Sequence, residues 1–391
     1  MAKLSVTGGG RCNLTNTFRL SNKLSECYPR GDKLMRRLLR TWSHEDTMSW
    51  FETEGVELAV QPDECVFPAS QDAMQIVDVL RDGMDMAGVR LHLSHQVSSV
   101  SPSAGGYELS FTDPKLRPFH ANCVVISIGG CPTMDRLGIF HGMDIGIVPP
   151  VPSLYTFNID HAPLNALSGT VVQDACLGIA GTRFSSRGIL LLTHWGVSGP
   201  ATLRLSSYAA RYLADHSMQA DLCINWMGSA REEGVCSALA DFASQNPSRM
   251  VTAANPTPLT HNLWNMLAVR SGVGESTRWA DVSGKRLNRL ASVLTSDVYR
   301  ISGKGRYKEE FVTCGGVALS EVDYGTLGLK RYPGAYVTGE VLDLDAVTGG
   351  FNLQAAWSTG YVVARSLYEQ WAVGDPPAPC LGGEGAVSSG Q

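Results

Sequence analysis

The fold class this sequence predicts is an α/β domain assembled from both ends of the chain, with a mixed α+β domain inserted between them. Three observations carry that reading. Two distant apolar segments run straight into glycine pairs: Cys123-Val124-Val125-Ile126-Ser127-Ile128 into Gly129-Gly130, and Phe311-Val312-Thr313-Cys314 into Gly315-Gly316. Such unbroken runs suit parallel strands covered on both faces. A third strand, Ala335-Tyr336-Val337-Thr338, leads through a turn carrying Glu340 and Asp343 to Gly349-Gly350 and a long helix. Pro149, Pro150 and Pro152 mark a crossing between domains. The boundaries that follow are 1–150 and 311–373 for the two parts of the first domain, 151–310 for the insert and 374–391 for a tail.

The elements follow in order. Residues 3–6 read as the end of an extended segment, and residues 8–13 as a loop. Helical patterns occupy 33–40 and 43–54; Ser43 caps the second, with Asp46 placed as a capping-box acid and Gly55 as its stop. Residues 56–60 alternate like a strand. Ser70 is the expected cap of a helix reaching residue 87, with Met74, Val77, Leu80 and Met84 on one face. Residues 89–100 are extended, 107–111 alternate after the Gly105-Gly106 turn, and 123–128 form the first buried strand. In the insert, 189–193 is a strand, Ser198 caps a helix with Pro200 in its first turn, and further helices cover 232–243, 259–269 and 285–294. The last helix runs from 351 to about 371, and the Pro-, Gly- and Ser-rich residues 374–391 are expected to be disordered.

With 391 residues, 44% apolar and 18% charged, the chain can bury a large core and is not a disordered protein. Its net charge of -5 argues against nucleic acid as the main partner. Ten cysteines, without a C-x-x-C pair or zinc spacing, read as reduced thiols of a cytoplasmic protein. No signal peptide and no apolar run of membrane-spanning length stands out, so no membrane partner is expected.

The Gly339–Gln354 stretch carries the most chemistry. Gly349 and Gly350 let a ligand approach bare backbone, and the helix from Phe351 offers free N–H groups and a positive dipole end to negative charge. Glu340 and Asp343 can accept hydrogen bonds from sugar or ribitol hydroxyls. The competing reading is a tight turn before a surface helix. Cys12 and Cys314 are read as packed thiols, because neither has a visible resolving partner. His194 is read as a structural histidine before a proton donor. Arg11 is read as lying close to a bound ligand and not as a solvated charge, where it could pair with a phosphate or Asp343. The cations from Arg278 to Lys308 are read as a solvated helical face, since Asp281, Asp297, Glu309 and Glu310 dilute them and no stacking aromatics accompany them.

Four segments together resemble the BaiN-type (aminoacetone oxidase-like) family of NAD(P)/FAD-dependent oxidoreductases. They are residues 3–16 (KLSVTGGGRCNLTN), 193–200 (THWGVSGP), 311–317 (FVTCGGV) and 339–354 (GEVLDLDAVTGGFNLQ). The resemblance implies a glutathione-reductase-like FAD-binding domain interrupted by the insert. It implies that Gly8, Gly9, Gly10, Arg11, Cys12, Asn13 and Asn16 wrap the flavin side of FAD. Gly129 and Gly130 would lie near the pyrophosphate and adenosine, and the Val97 backbone would meet adenine. Gly339, Glu340 and Asp343 would approach ribitol and pyrophosphate, while Gly349, Gly350, Asn352 and Leu353 would lie at the flavin ring. Families of this kind open on a G-x-G-x-x-G unit, and only seven residues precede Gly8 here. The domain is therefore expected to be truncated at its N-terminus, with weakened FAD affinity and exposed sheet edges.

The function so implied is oxidoreduction of a small organic substrate, with NAD(P)H binding transiently as electron donor. Two alternatives stand beside it: a non-catalytic remnant or binding protein on a flavoprotein scaffold, and a tRNA-modifying flavoenzyme.

Overall fold

The structure, a computed structural model, describes residues 2–305 and 312–372. The residues of the expected tail, Arg306 and Lys308 of the basic segment, and Phe311 of the third quoted motif lie outside that description.

The chain opens with α1 (Ala2–Gly10), a helical turn broken at Thr7 and at the left-handed Gly8 and Gly9. The segment expected to be extended is thus helical. Thr7 Oγ1 donates back to Leu4 O (2.8 Å), and the glycines reverse the chain so that Cys12 N–H reaches Thr7 O (3.0 Å). Next come β1 (Thr15–Asn16), α2 (Leu24–Cys27), α3 (Asp32–Leu38) and α4 (His44–Thr53). The Ser43–Asp46 capping box is formed at α4, a device that contributes about 1 kcal/mol. After β2 (Leu58–Val60) and β3 (Cys65–Pro68) comes α5 (Ala73–Met86). Its cap is Asp72, which accepts Met74 N–H (2.8 Å), and not Ser70, whose hydroxyl accepts Asp72 N–H instead. The helix thus starts two residues later than expected, and the face it buries carries Ala73, Ile76 and Val77 while Met74 is exposed. The strands β4 (Val97–Ser103), β5 (Gly106–Phe111), β6 (Phe119–Ala121), β7 (Val124–Ile126) and β8 (Ile147–Ser153) complete this stretch.

The chain then forms β9 (Phe157–Ile159), α6 (Ala162–Asn165), β10 (Val171–Ile179), β11 (Ser185–Thr193), β12 (Gly196–Ser198), α7 (Pro200–Tyr208), α8 (Ala210–Asp215), β13 (Ala220–Asn225), α9 (Glu232–Gln245), α10 (His261–Arg270), α11 (Gly284–Thr295) and β14 (Asp297–Lys304). Ser198 belongs to β12; Gly199 occupies the N-cap of α7, with Pro200 at its start. Finally β15 (Val312–Val317), β16 (Ala335–Val337) and α12 (Phe351–Ala372) close the described chain.

Two compact units result. One combines Met1–Pro152 with Val312–Gln391, and the other is Ser153–Phe311. In the first, β7 and β16 pair in parallel, Val124 opposite Ala335 and Ile126 opposite Val337, while β8 pairs with β15. The β7 strand is shorter than the apolar run, and Val125 and Ile128 are 40% and 43% exposed. Double coverage of this strand, expected from its composition, is therefore absent among the described residues. Two antiparallel three-stranded sheets, β1-β3-β2 and β4-β5-β6, complete the unit.

The second unit is a closed antiparallel barrel in the order β10-β11-β12-β9-β14-β13. Its core joins barrel residues such as Phe157, Leu192 and Leu222 to Trp226, Trp264 and Trp279, all buried. Among the described residues, one buried carboxylate stands inside this unit. Asp297 accepts from Arg270 Nε (2.6 Å) and Trp226 Nε1 (3.1 Å), and Arg270 also lies over the Tyr299 ring. Pairing and full hydrogen bonding are what make such a buried charge tolerable.

Candidate functional site

The long helix α12 begins directly after Gly349 (φ 126°) and Gly350 (φ 86°). The opening loop is held against that start by side chains reaching across the sequence. Asn16 Nδ2 donates to Gly349 O (3.0 Å), Thr15 Oγ1 to Gln354 Oε1 (2.5 Å) and Trp357 Nε1 to Leu14 O (3.0 Å). With its amide oxygen turned to Gly350 N–H (3.1 Å), Asn13 donates to Thr15 O (3.2 Å). Tyr28 OH adds a bond to Phe351 O (2.9 Å). A Cβ on Gly350 would fall 2.3 Å from Thr15 O, so this backbone-to-backbone approach requires glycine.

The other side of the loop is open. A Cβ on Gly9 or Gly10 would meet nothing within 4 Å. The N–H groups of Phe351, Asn352 and Leu353 donate to no acceptor among the described residues. A 22-residue helix thus presents its positive end, with unpaired donors, beside exposed glycine backbone.

Most polar side chains singled out in the sequence build this site and do not face out from it. Asn16 is buried, its Oδ1 taken by Phe18 N–H (2.9 Å). Asn352 clamps the preceding turn, accepting Ala346 N–H (2.9 Å) and donating to Ala346 O (3.0 Å). Glu340 has both oxygens occupied, Oε1 by Thr313 N–H (2.8 Å) and Oε2 by Lys3 Nζ (2.8 Å). Gly130 lies against it: a Cβ there would sit 2.2 Å from Glu340 Oε1. Gly129 (φ 74°) faces open space, and Gly339 donates its N–H to Thr359 Oγ1 (3.0 Å). Asp343 donates its backbone N–H to Val317 O (2.9 Å) and is half-buried. Leu353 packs on the cluster that holds Leu14 and Phe51. Arg11 does not reach Asp343; its Nε donates to Gly8 O (3.1 Å) and its guanidinium lies over Phe67. Val97 stands in a different sheet, paired with Phe111.

His194 is exposed at the turn between β11 and β12, its ring edge-on to Trp195. Cys12 is fully buried at φ 61°, and burial pushes its thiol up to about 11. At pH 8 it should resist maleimide in the native protein and react after denaturation, as read by mass spectrometry. Rapid native labelling would show a reactive thiol there and overturn the packed reading.

Sequence reasoning missed Thr15, Gln354, Lys3 and Thr313 as parts of this site. All four lay inside quoted motifs, but nothing local marked them as partners. The bonds from Lys3 and Thr313 to Glu340 join residues far apart in the chain and leave no local signal.

These residues fit the ring end of a flavin: open glycine backbone, unpaired helix donors and a rigid floor. Comparison with known proteins bears on the same region. Residues 1–366 match the model of the family described as "HI0933-like protein Rossmann domain". The chain belongs to that family. It is a flavin-dependent oxidoreductase, related to the BaiN-type proteins. It is 28% identical over 390 residues to a protein of Escherichia coli named "Ribosomal RNA dihydrouridine synthase", covering 93% of this chain and 88% of that one. A Haemophilus influenzae protein of the same name is 26% identical over 378 residues, covering 94% and 90%. A "3-dehydro-bile acid delta(4,6)-reductase" of Clostridium scindens is 23% identical over 385 residues, covering 94% and 90%. Among the described residues no helix is long and apolar enough to cross a membrane.

Proposed function

We propose that this protein binds FAD with its ring at the start of α12 and reduces a carbon–carbon double bond conjugated to a carbonyl. The observation that carries the flavin site is the clamp of the opening loop onto Gly349, Gly350 and Gln354, with free donors left at Phe351–Leu353. The reaction class rests on what the relatives' names share. A 3-oxo compound unsaturated at C4 and C6 and a uracil ring both carry an alkene conjugated to a carbonyl. Saturating either adds a hydride at the far carbon and a proton at the near one. FAD bound here would supply the hydride chemistry, recharged by NAD(P)H.

The protein's own contribution is position and electrostatics. The α12 N–H groups and dipole stabilise negative charge at the ring edge beside them. Glu340, held by Lys3 and Thr313, keeps the Gly129-Gly130 turn against the Gly339 turn. The leading substrate is a small organic enone. A second, uridine in RNA, is favoured by the names of the Escherichia coli and Haemophilus influenzae relatives.

The test is direct. After reconstitution with FAD and gel filtration, the protein should keep its visible flavin absorbance. Under nitrogen, NADPH should bleach it, and either a 3-oxo-Δ4 steroid or uridine-containing RNA should restore it. A colourless protein would end the flavin reading; a bleached flavin that neither substrate reoxidises would end the assigned reaction.

A further inference from the structure

We propose that the exposed face of α3, with the cavity beside it, docks the phosphodiester backbone of single-stranded RNA. This deepens the RNA reading of the proposed function and rests on it for the identity of the polyanion.

The face comes first. Lys33, Arg36, Arg37 and Arg40 stand at i, i+3, i+4 and i+7, the spacing of one helical stripe, and all four are exposed. Leu34, Met35 and Leu38 are buried on the opposite side. Arg40 lies in the turn that follows the helix, with its N–H bonded to Arg37 O (3.1 Å). Within 4.0 Å, Lys33, Arg37 and Arg40 have no carboxylate among the described residues, and Arg36 reaches only Asp32 at 3.7 Å. Arg37 and Arg36 thus stand near one acid each, Asp323 and Asp32, while Lys33 and Arg40 add positive charge to the same stripe.

The cavity comes second. A space of about 470 Å³ lies between α3, the loop at Tyr324 and the later turns of α12, lined by Arg37, Thr41, Tyr324, Thr326, Arg365 and Glu369 among others. Glu369 is engaged by Arg365 (2.8 Å). The Asp323 carboxylate at its edge is exposed; its Oδ1 accepts Gly325 N–H (2.7 Å) and Thr326 N–H (3.0 Å), and these bonds, with the Arg37 charge nearby, hold it below the usual carboxylate range. Beside those two carboxylates, each set against an arginine, the cavity offers a ligand guanidinium groups, hydroxyls and the Tyr324 ring. Forks and hydroxyls suit phosphate oxygens, and a tyrosine ring suits a splayed base.

The third observation is placement. The α3 helix starts beside the candidate flavin site: Gly31 packs on Leu344, and Arg30 pairs with Asp345 in the turn leading to Gly349. Arg365 lies fourteen residues along α12 from Phe351, about 21 Å at 1.5 Å per residue. A small substrate at the helix start cannot touch that end, whereas a polynucleotide with one base there extends naturally along the cationic stripe.

The test uses the FAD-reconstituted full chain and a fluorescently labelled oligouridylate, with anisotropy followed across a KCl series. Wild type should bind at low salt, and the slope of log K against log[KCl] should flatten by about 0.7 for each phosphate-contacting cation removed. Lys33→Gln, Arg37→Gln and Arg365→Gln should each show that change with unaltered unfolding midpoints. The triple variant Lys285→Gln/Arg286→Gln/Arg289→Gln, on the exposed face of α11, should keep the wild-type slope. Absent wild-type binding, an unchanged slope in the α3 and Arg365 variants, or an equal loss in the α11 variant would each overturn the proposal. Failure of the reductase reading appears elsewhere, in the wild-type bleaching experiment, so the two are separable.

Discussion

Gly350→Ala is expected to lose flavin and to lower the unfolding midpoint by roughly 6–12 °C. Two costs add at this position. The backbone sits at φ 86°, where an L side chain costs about 1–2 kcal/mol. The new Cβ would also press on Thr15 O at 2.3 Å and Thr15 C at 2.5 Å, both backbone atoms of β1 that are themselves tied to β3. Overpacking of that kind costs about 1–3 kcal/mol, and a total on the order of 3 kcal/mol gives the stated shift at about 2–4 °C per kcal/mol. Relief comes only by moving the opening loop away from α12, which removes the floor of the proposed ring site. Two companions separate strain from clash. Gly10→Ala shares the left-handed backbone (φ 81°) but meets nothing within 4 Å, so only the strain term applies. Gly349→Ala meets the Phe351 ring at 3.0 Å, a side chain with some freedom to yield. Calorimetry and the flavin-to-protein absorbance ratio should rank Gly350→Ala worst. An alanine variant at 350 that melts and binds like wild type would mean the loop and helix are not locked as described.

What was legible in the sequence was local, and what was hidden was pairing over distance. The α4 capping box could be read because Ser43 and Asp46 are three residues apart and the bond is short-range. That β7 belongs to a parallel sheet could be read from its apolar run, whereas its partner β16 and the exposure of Val125 depend on distant segments and have no local trace. Barrel closure in the second unit was not foreseen. It needs β14 to pair with β9, Ile301 opposite Ile159, and alternation within either strand says nothing of the other. Ser70 and Asp72 show how narrow the margin is, since two good capping residues compete and the one nearer the first apolar turn takes the helix. In the candidate site, residue types drew attention to the strand-to-helix junction, and the structure shows what their polar atoms hold there. Asn16, Asn352 and Glu340 were expected to face a ligand, yet each spends its polar atoms on a neighbouring backbone or side chain. The open groups that remain there are backbone N–H and glycine surface, which carry no side-chain signature.

Arg30→Ala is the second large effect, expected to cost about 3–5 kcal/mol, the usual penalty for removing one partner of a buried ion pair. The Asp345 side chain is 0% exposed and that of Arg30 12%. The guanidinium grips the carboxylate as a fork, Nε on Oδ1 at 2.5 Å and Nη2 on Oδ2. Lysine at position 30 keeps the charge and loses the fork, so Arg30→Lys should fall between wild type and Arg30→Ala. Replacing both partners removes the stranded charge, so Arg30→Ala/Asp345→Ala should be less damaging than the sum of the single variants, a coupling that a double-mutant cycle reads directly. Chemical denaturation gives the stability arm. Flavin retention gives the functional one, because Asp345 lies in the turn between Glu340 and Gly349 and its loosening frees the start of α12. Strict additivity in the cycle would show that the two side chains do not act as a pair. Full stability loss with unchanged flavin retention would show that this turn supports the fold without shaping the cofactor site.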